Sequence, residues 1–332
     1  MKLGLGLAML AGIALAVGLI VYQGTGQVLG TLMALGWGFI PVVLIHVVQL
    51  LCSALGWQPL IATPRRPPLH ALLKIRWIRE GANGLLPVAH IGGEVISARL
   101  LTFRGVSGDV AGASVVVDLT AEVVTQFLFT LAGMVLLVIG DKGGDVLGDF
   151  ALGLVIAAAA LVGFVIAQRV GLFKLIEEAL DRVMERTQWV SLSGIKGLHD
   201  AIQEIHRKPR VLARSAFWHL LSWLLGALEV WAVLGFMGIT IDLHDALILE
   251  SMGQAAHSAG FAVPGAIGIQ EGGLMLSSTL VGVAPEAALA LSLAKRLREL
   301  VLGLPALAVW QYVEGRRLFR ARAGANSQAR GS

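Results

Sequence analysis

Six stretches of this 332-residue chain are long and apolar enough to cross a bilayer, and no other feature constrains its fold as tightly. They lie at about 3–22, 36–58, 111–139, 150–168, 211–236 and 286–312. A span needs about 20 mainly apolar residues, and lipid offers no partner for an open backbone N–H or C=O, so such stretches must be helices. Composition agrees: 56% of residues are hydrophobic, only 14% are charged and mean hydropathy is +0.77. Soluble domains carry about 25% charged residues. The expected fold class is therefore an all-α polytopic membrane protein, with one transmembrane domain over 1–315 and a basic, disordered tail over 316–332. Lys2 followed by apolar residues 3–22 looks like a signal peptide, but the apolar run exceeds the usual ~7–15 residues and lacks a small-x-small cleavage site. It is expected to be a retained helix.

Two further stretches, 81–101 and 262–281, are long enough to cross but are rich in Gly and broken by Pro and Glu. The first contains Pro87, Gly92, Gly93 and Glu94; the second contains Pro264, Gly265, Gln270, Glu271, Gly272 and Gly273. Glu94 and Glu271 each follow a proline by seven residues and stand 177 positions apart (271 − 94). The same offset aligns Asp118 with Lys295 and Glu122 with Glu299. Irregular backbone at membrane depth survives only where protein covers it or water reaches it, so both stretches are expected to be re-entrant hairpins. Repeat units at about 36–139 and 213–316 would each run span, short connecting helix, hairpin, span. They begin three spans apart, and an odd number makes the repeat an inverted one.

Loop charge sets the orientation. Residues 59–80 carry Arg65, Arg66, Lys74, Arg76 and Arg79; segment 169–214 carries nine Lys or Arg; the tail carries Arg316, Arg317, Arg320, Arg322 and Arg330. Connections 23–35, 141–149 and 237–261 are neutral or acidic. Cations stay on the cytoplasmic side, so six spans with both termini cytoplasmic satisfy the pattern. The first hairpin then enters from the cytoplasm and the second from the opposite face. Segment 169–210 alternates apolar and charged residues and is expected to lie along the cytoplasmic surface as amphipathic helix.

Asp118, Glu122, Lys295, Arg298 and Glu299 fall inside apolar stretches. An Asp, Lys or Arg at the centre of a span costs about 2.5–3.5 kcal/mol, so Asp118, Lys295 and Arg298 together approach ~10 kcal/mol unless paired or wetted. Asp118 and Glu122 share one helical face, as do Lys295, Arg298 and Glu299. Two arrangements answer the cost: bridges from Asp118 or Glu122 to Lys295 or Arg298 that fasten the two repeats, or a polar cavity that receives a lipid headgroup, with Glu94 and Glu271 at its mouths. Arg99 stands near the cytoplasmic end of the first hairpin, placed for phosphates or for substrate. The Gly pairs beside Glu94 and Glu271 allow close approach of a backbone or ligand.

Other chemistries lack their residues. Cys52 is alone in an apolar run, which excludes a disulfide framework or cysteine metal site. His90 and His257 have no companion at ligand spacing, so no metal or other cofactor is expected. No phosphate loop, nucleophile elbow or dinucleotide fingerprint occurs. The cations sit in particular loops, as membrane orientation requires, so pI ≈ 9.5 does not imply nucleic acid.

The element Val-Pro-Gly-Ala-Ile-Gly-Ile-Gln-Glu-Gly-Gly at 263–273, with Gly-Gly-Glu-x4-Arg at 92–99 and Asp118 opening the next span, resembles the transmembrane region of lysylphosphatidylglycerol synthases. Within that superfamily the chain is most similar to the stand-alone membrane proteins associated with hopanoid biosynthesis. The resemblance implies a flippase or transporter of the bacterial inner membrane handling a hopanoid or an anionic or aminoacylated phospholipid. The synthases' soluble aminoacyl-transferase domain has no counterpart here, so lipid lysylation is not implied. Substrate contact would fall to Glu94, Arg99, Asp118, Glu122, Gln270, Glu271, Lys295, Arg298 and Glu299. Two alternatives stay open: an intramembrane enzyme acting on a polyprenyl or hopanoid lipid, and a scaffold for hopanoid-synthesis enzymes.

Overall fold

The computed structural model describes residues 33–86, 92–140, 197–259 and 269–329, together with Gly30 and isolated positions between 148 and 166. Within these limits every regular element is helical: α1 (Phe39–Trp57), α2 (Leu69–Leu85), α3 (Gly92–Thr102), α4 (Gly108–Ile139), α5 (Leu198–His206), α6 (Pro209–Phe236), α7 (Leu243–Ala259), α8 (Ile269–Leu280) and α9 (Pro285–Ala329). Among the described residues, three stretches are long and apolar enough to cross a membrane: Met33–Leu60, which contains α1, then α4 and α6. Their apolar side chains are shared between the interior and the outer surface, where Leu44, Val48, Leu128, Val135, Val138, Phe217 and Leu224 stand exposed, as lipid-facing residues do. The fold is an all-α, multi-pass membrane fold.

Two apolar cores hold the helices together. The first gathers Trp57, Leu60, Leu72, Ile75, Leu101, Val106, Ile202, Leu307 and Trp310. The second gathers Leu35, Val42, Leu137, Val230, Leu234, Ile248, Met252, Leu274 and Leu291. Four long helices reach both. Helix α4 enters from the first core at Ala111–Val117 and ends in the second at Met134 and Leu137. Helix α9 runs the other way, from Ala288–Ala294 in the second core to Leu307 and Trp310 in the first. The α1 stretch likewise runs from the second core to the first, and α6 from the first to the second. Between the cores lies a layer of buried polar groups: His46, Asp118, His219, Glu229, Lys295 and Arg298.

The 177-residue offset extends to places that the hairpin motifs did not include. Adding 177 to the bounds of α3 gives 269–279, against α8 at Ile269–Leu280, and adding it to the start of α4 gives 285, the start of α9. Both short helices stop in the same way. Gly105 (φ +82°) and Gly282 (φ +72°), 177 apart, take left-handed backbone, and the next residue, Val106 or Val283, returns its N–H to the carbonyl of Leu101 or Ser278. Side-to-side packing is exchanged in kind, α2 lying on α9 and α7 on α4. At the α2–α9 crossing a Cβ on Gly81 would come within 3.1 Å of the Gly303 carbonyl, so the absent side chain lets the backbones meet. Positions 258 and 126, the offset counterparts of 81 and 303, also meet: Gln126 donates to Ser258.

Several expectations need correction. The connections 59–80 and 237–261, each expected to hold a short connecting helix, contain α2 and α7, and these helices are longer than expected: α2 runs on past 81 into the stretch expected to be a hairpin. The charges of α2 are not loop markers, because two of them are buried. Helix α9 extends to Ala329, through most of the segment 316–332. Residues 3–22, most of 150–168, the amphipathic segment up to 196, and Pro87, His90, Pro264 and Gly265 lie outside the described residues.

Candidate functional site

The buried charges form two centres in the layer between the cores. The first is assembled from α2, α3, α4 and α6. Arg76 and Arg79 are three apart on α2, Asp118 and Glu122 four apart on α4, and the two rows face each other. Arg76 Nη1 donates to Asp118 Oδ2 and Nη2 to Glu122 Oε1, both at 2.7 Å. Arg79 Nη1 donates to the same Asp118 oxygen at 2.7 Å, Nη2 to Glu122 Oε2 at 3.0 Å and Nε to Glu94 Oε1 at 2.8 Å. His219 Nε2 lies 2.9 Å from the other Asp118 oxygen, and Gly56 on α1 leaves the space its ring fills. A guanidinium presents fixed, planar donors, so this arrangement fixes angle as well as distance.

Glycine places Glu94. A Cβ on Gly93 would lie 2.6 Å from the Arg79 carbonyl, so only glycine lets α3 lie this close to α2. The Gly93 N–H donates to Asn83 Oδ1 at 2.9 Å, and Asn83 Nδ2 donates back to Glu94 at 3.2 and 3.3 Å. Glu94 is thus held by Arg79 and Asn83 at the start of α3 rather than left open at a mouth.

The second centre joins α6, α7, α9 and α1. Arg298 pairs with Glu229 and Lys295 with Glu250. Glu229 also accepts from Gln49 Nε2 at 2.7 Å, and Glu250 from Gln254 Nε2 at 2.8 Å. A Cβ on Gly226 would lie 3.0 Å from Glu250 Oε1, so this glycine makes room for the carboxylate. Glu299 accepts from Arg296 Nη1 at 3.2 Å. The buried Arg298 Nε has no hydrogen-bond partner.

Glu80 connects the two. Its carboxylate pairs with His46 on α1, and both Arg76 and Arg298 act on it electrostatically. Charged groups therefore extend from Glu94 through Arg79, Asp118 and Arg76 to Glu80, His46, Glu229 and Arg298; all are joined by close contacts except Arg76 and Glu80, which act on each other electrostatically. The side chains of Glu80 (42%), Glu122 (25%) and Glu299 (21%) keep accessible surface, whereas Asp118 and Glu229 have almost none. Ionised carboxylates persist at such depth where they pair and where water reaches them.

Against the sequence expectations, Glu94, Asp118 and Glu122 come together in the first centre, and Lys295, Arg298 and Glu299 lie together in the second. The bridges between the two sets do not form: Asp118 and Glu122 face arginines of α2, while Lys295 and Arg298 face glutamates of α7 and α6. Arg99 stands apart, half-exposed, 2.7 Å from Glu314 and against the Phe103 ring. Gly92 opens α3, and Gly272 and Gly273 lie on α8, where a Cβ on Gly273 would strike Ala256 of α7. The side chains of Gln270 and Glu271 are outside the described residues. Missed by sequence reasoning were Arg76, Arg79, Asn83, His219, Glu229, Glu250, His46, Gln49 and Glu80. A signal existed for Glu229, His46 and His219, which are isolated ionisable residues inside apolar stretches.

Among the described residues, no group of His, Cys, Asp and Glu is placed to hold a metal ion. A sequence model of the family described as the lysylphosphatidylglycerol synthase TM region matches residues 9–306. Comparison with curated proteins and with solved structures gives no significant match.

Proposed function

This chain belongs to the lysylphosphatidylglycerol synthase TM-region family, and from that premise we propose that it is a lipid flippase or transporter of the bacterial inner membrane. The observation that carries the proposal is the layer of charged side chains between two apolar cores, in which the carboxylates of Glu80, Glu122 and Glu299 keep accessible surface. A protein needing only stability would gain as much from apolar residues of similar volume, because buried ion pairs barely repay their desolvation. A polar headgroup enters this layer by exchanging with the accessible carboxylates for the cations they hold, while its apolar body stays in lipid. The cargo is a hopanoid or another polar-headed lipid of the membrane, including anionic and aminoacylated phospholipids.

The architecture we infer is six spans and two re-entrant hairpins in an inverted repeat, with both termini cytoplasmic. The shared 177-residue offset of α3 and α8, their matching helix stops and the opposed directions of α4 and α9 support it. Opposed halves can expose a midplane site to one face and then the other.

The test is reconstitution of the purified protein in vesicles carrying a headgroup-labelled phospholipid or a polar-headed hopanoid in the inner leaflet. Exposure of the label to a membrane-impermeant quencher reports translocation. Wild-type protein should accelerate it for at least one lipid over protein-free vesicles, and Arg298→Met should reduce the gain at equal reconstituted protein. No acceleration for either lipid overturns the transport reading.

A further inference from the structure

Three groups from three helices meet at a place the charge pairing alone does not explain. His46 on α1 is buried between two carboxylates, its Nε2 on Glu80 of α2 and its Nδ1 3.4 Å from Glu229 Oε2 of α6. That Nδ1 atom is buried and makes no hydrogen bond. A neutral imidazole has one N–H and one lone pair, whereas the protonated ring donates from both nitrogens. An imidazole with a carboxylate at each nitrogen is therefore electrostatically complete only when protonated. With either nitrogen bare, a lone pair faces a negative oxygen.

The two carboxylates differ in what else holds them. Glu229 is fully buried and also takes Gln49 Nε2 and the Arg298 guanidinium. Glu80 is the accessible one, and its carboxylate is hydrogen-bonded to His46. The charges that face this histidine are Glu80 from α2, with Arg76 behind it; Glu229 from α6; and Arg298 from α9, with Lys295 behind it acting on Glu229. Its own helix contributes Gln49. Arg298 opposes a cation at His46 and the two carboxylates favour one, so removing either influence changes how firmly the ring holds its proton.

We propose that His46 is a proton-binding site that fastens α2 to the α1–α6 pair. When the proton is bound, imidazolium bridges Glu80 and Glu229. When it is lost from Nε2 to water on the accessible side of Glu80, the bare nitrogen faces the Glu80 carboxylate, the bridge opens, and α2, still held to α4 by Arg76 and Arg79, shifts relative to α1 and α6. The bound species is a proton alone; no co-reactant is needed. This places proton sensing at His46.

The experiment uses the full chain in lipid nanodiscs with 15N-labelled histidine. The His46 ring signals are identified by their loss in His46→Gln, and spin labels on α2 and α6 report the distance between the helices. The expected result is a His46 titration between about pH 5 and 9, with the interhelix distance changing over the same range. The distance change should vanish in His46→Gln and persist in His219→Gln. In Glu80→Gln, which keeps the shape but removes the charge, the His46 midpoint should fall by about one pH unit, the effect of deleting an adjacent carboxylate. If His46→Gln does not fold, Glu80→Gln carries the decision. The proposal is overturned if the histidine signals show no titration that responds to Glu80→Gln, or if the α2–α6 distance is the same at both ends of the pH range. Protonation and helix spacing are measured without any lipid movement, so a failed transport assay leaves this site standing, and failure here leaves the transport reading standing.

Discussion

The two halves of the molecule hold buried charge in opposite polarity. In the first, the cations Arg76 and Arg79 are on the short helix α2 and the carboxylates Asp118 and Glu122 are on the long helix α4. In the second, the carboxylate Glu250 is on the short helix α7 and the cations Lys295 and Arg298 are on the long helix α9. Asp118 and Lys295 occupy matching positions, 177 residues apart, yet differ in sign. At this one pair of positions charge is buried with either sign, and in each case a neighbouring helix supplies the opposite one. The halves differ in wiring too. Asp118 is a shared node, accepting from two guanidiniums and facing His219. In the second half Lys295 pairs with Glu250 and Arg298 with Glu229, so neither carboxylate is shared by two Lys or Arg side chains.

That contrast can be broken by substitution. Asp118→Ala should be the most damaging change, because it leaves two buried guanidiniums short of an acceptor; removing one partner from a buried ion pair costs about 3–5 kcal/mol. Thermal unfolding in detergent and the monodisperse yield would measure it. Should Asp118→Ala prove no worse than Lys295→Met, the distinction between node and pair is lost. Next in size is the coupling within a pair: Lys295→Met combined with Glu250→Leu should be less destabilising than the sum of the single variants, by about 0.5–3 kcal/mol. The corresponding rescue of Asp118→Ala by Arg79→Met should be incomplete, because Arg76 and His219 still face the gap. Smallest is Arg99→Ala. This half-exposed bridge to Glu314 lies outside both centres, and its loss should cost about 0–1 kcal/mol in the same unfolding measurement.

The difference between the halves also explains what was legible in the sequence. Asp118, Glu122, Lys295, Arg298 and Glu299 stood out because each interrupts an apolar stretch, and the structure buries all of these positions in whole or part. Their partners stayed hidden for a different reason in each case. Arg76 and Arg79 lie in a segment polar enough to pass for a cytoplasmic loop, and counting them as orientation signals concealed that α2 is a buried helix. Glu250 was likewise assigned to an acidic outer loop. The hairpin glycines were legible as sites of close approach, and Gly93 and Gly273 do lie against neighbouring helices. The matching stops at Gly105 and Gly282 carry the same offset and could have been found from it.

The helical, membrane-embedded character of the chain, and the positions of the long helices α1, α4, α6 and α9, could be read along the sequence. Those properties are local: lipid requires each segment to satisfy its own backbone hydrogen bonds, and apolar length can be counted along the chain. Only the tertiary structure decided which ion meets which. Asp118 meets residues 42 positions before it and 101 after it, and Arg298 meets one 69 before it. Periodicity assigns a charge to a face of its own helix, but its partner is chosen by how separate helices pack, because only close apposition in a dry interior repays the loss of water around both ions.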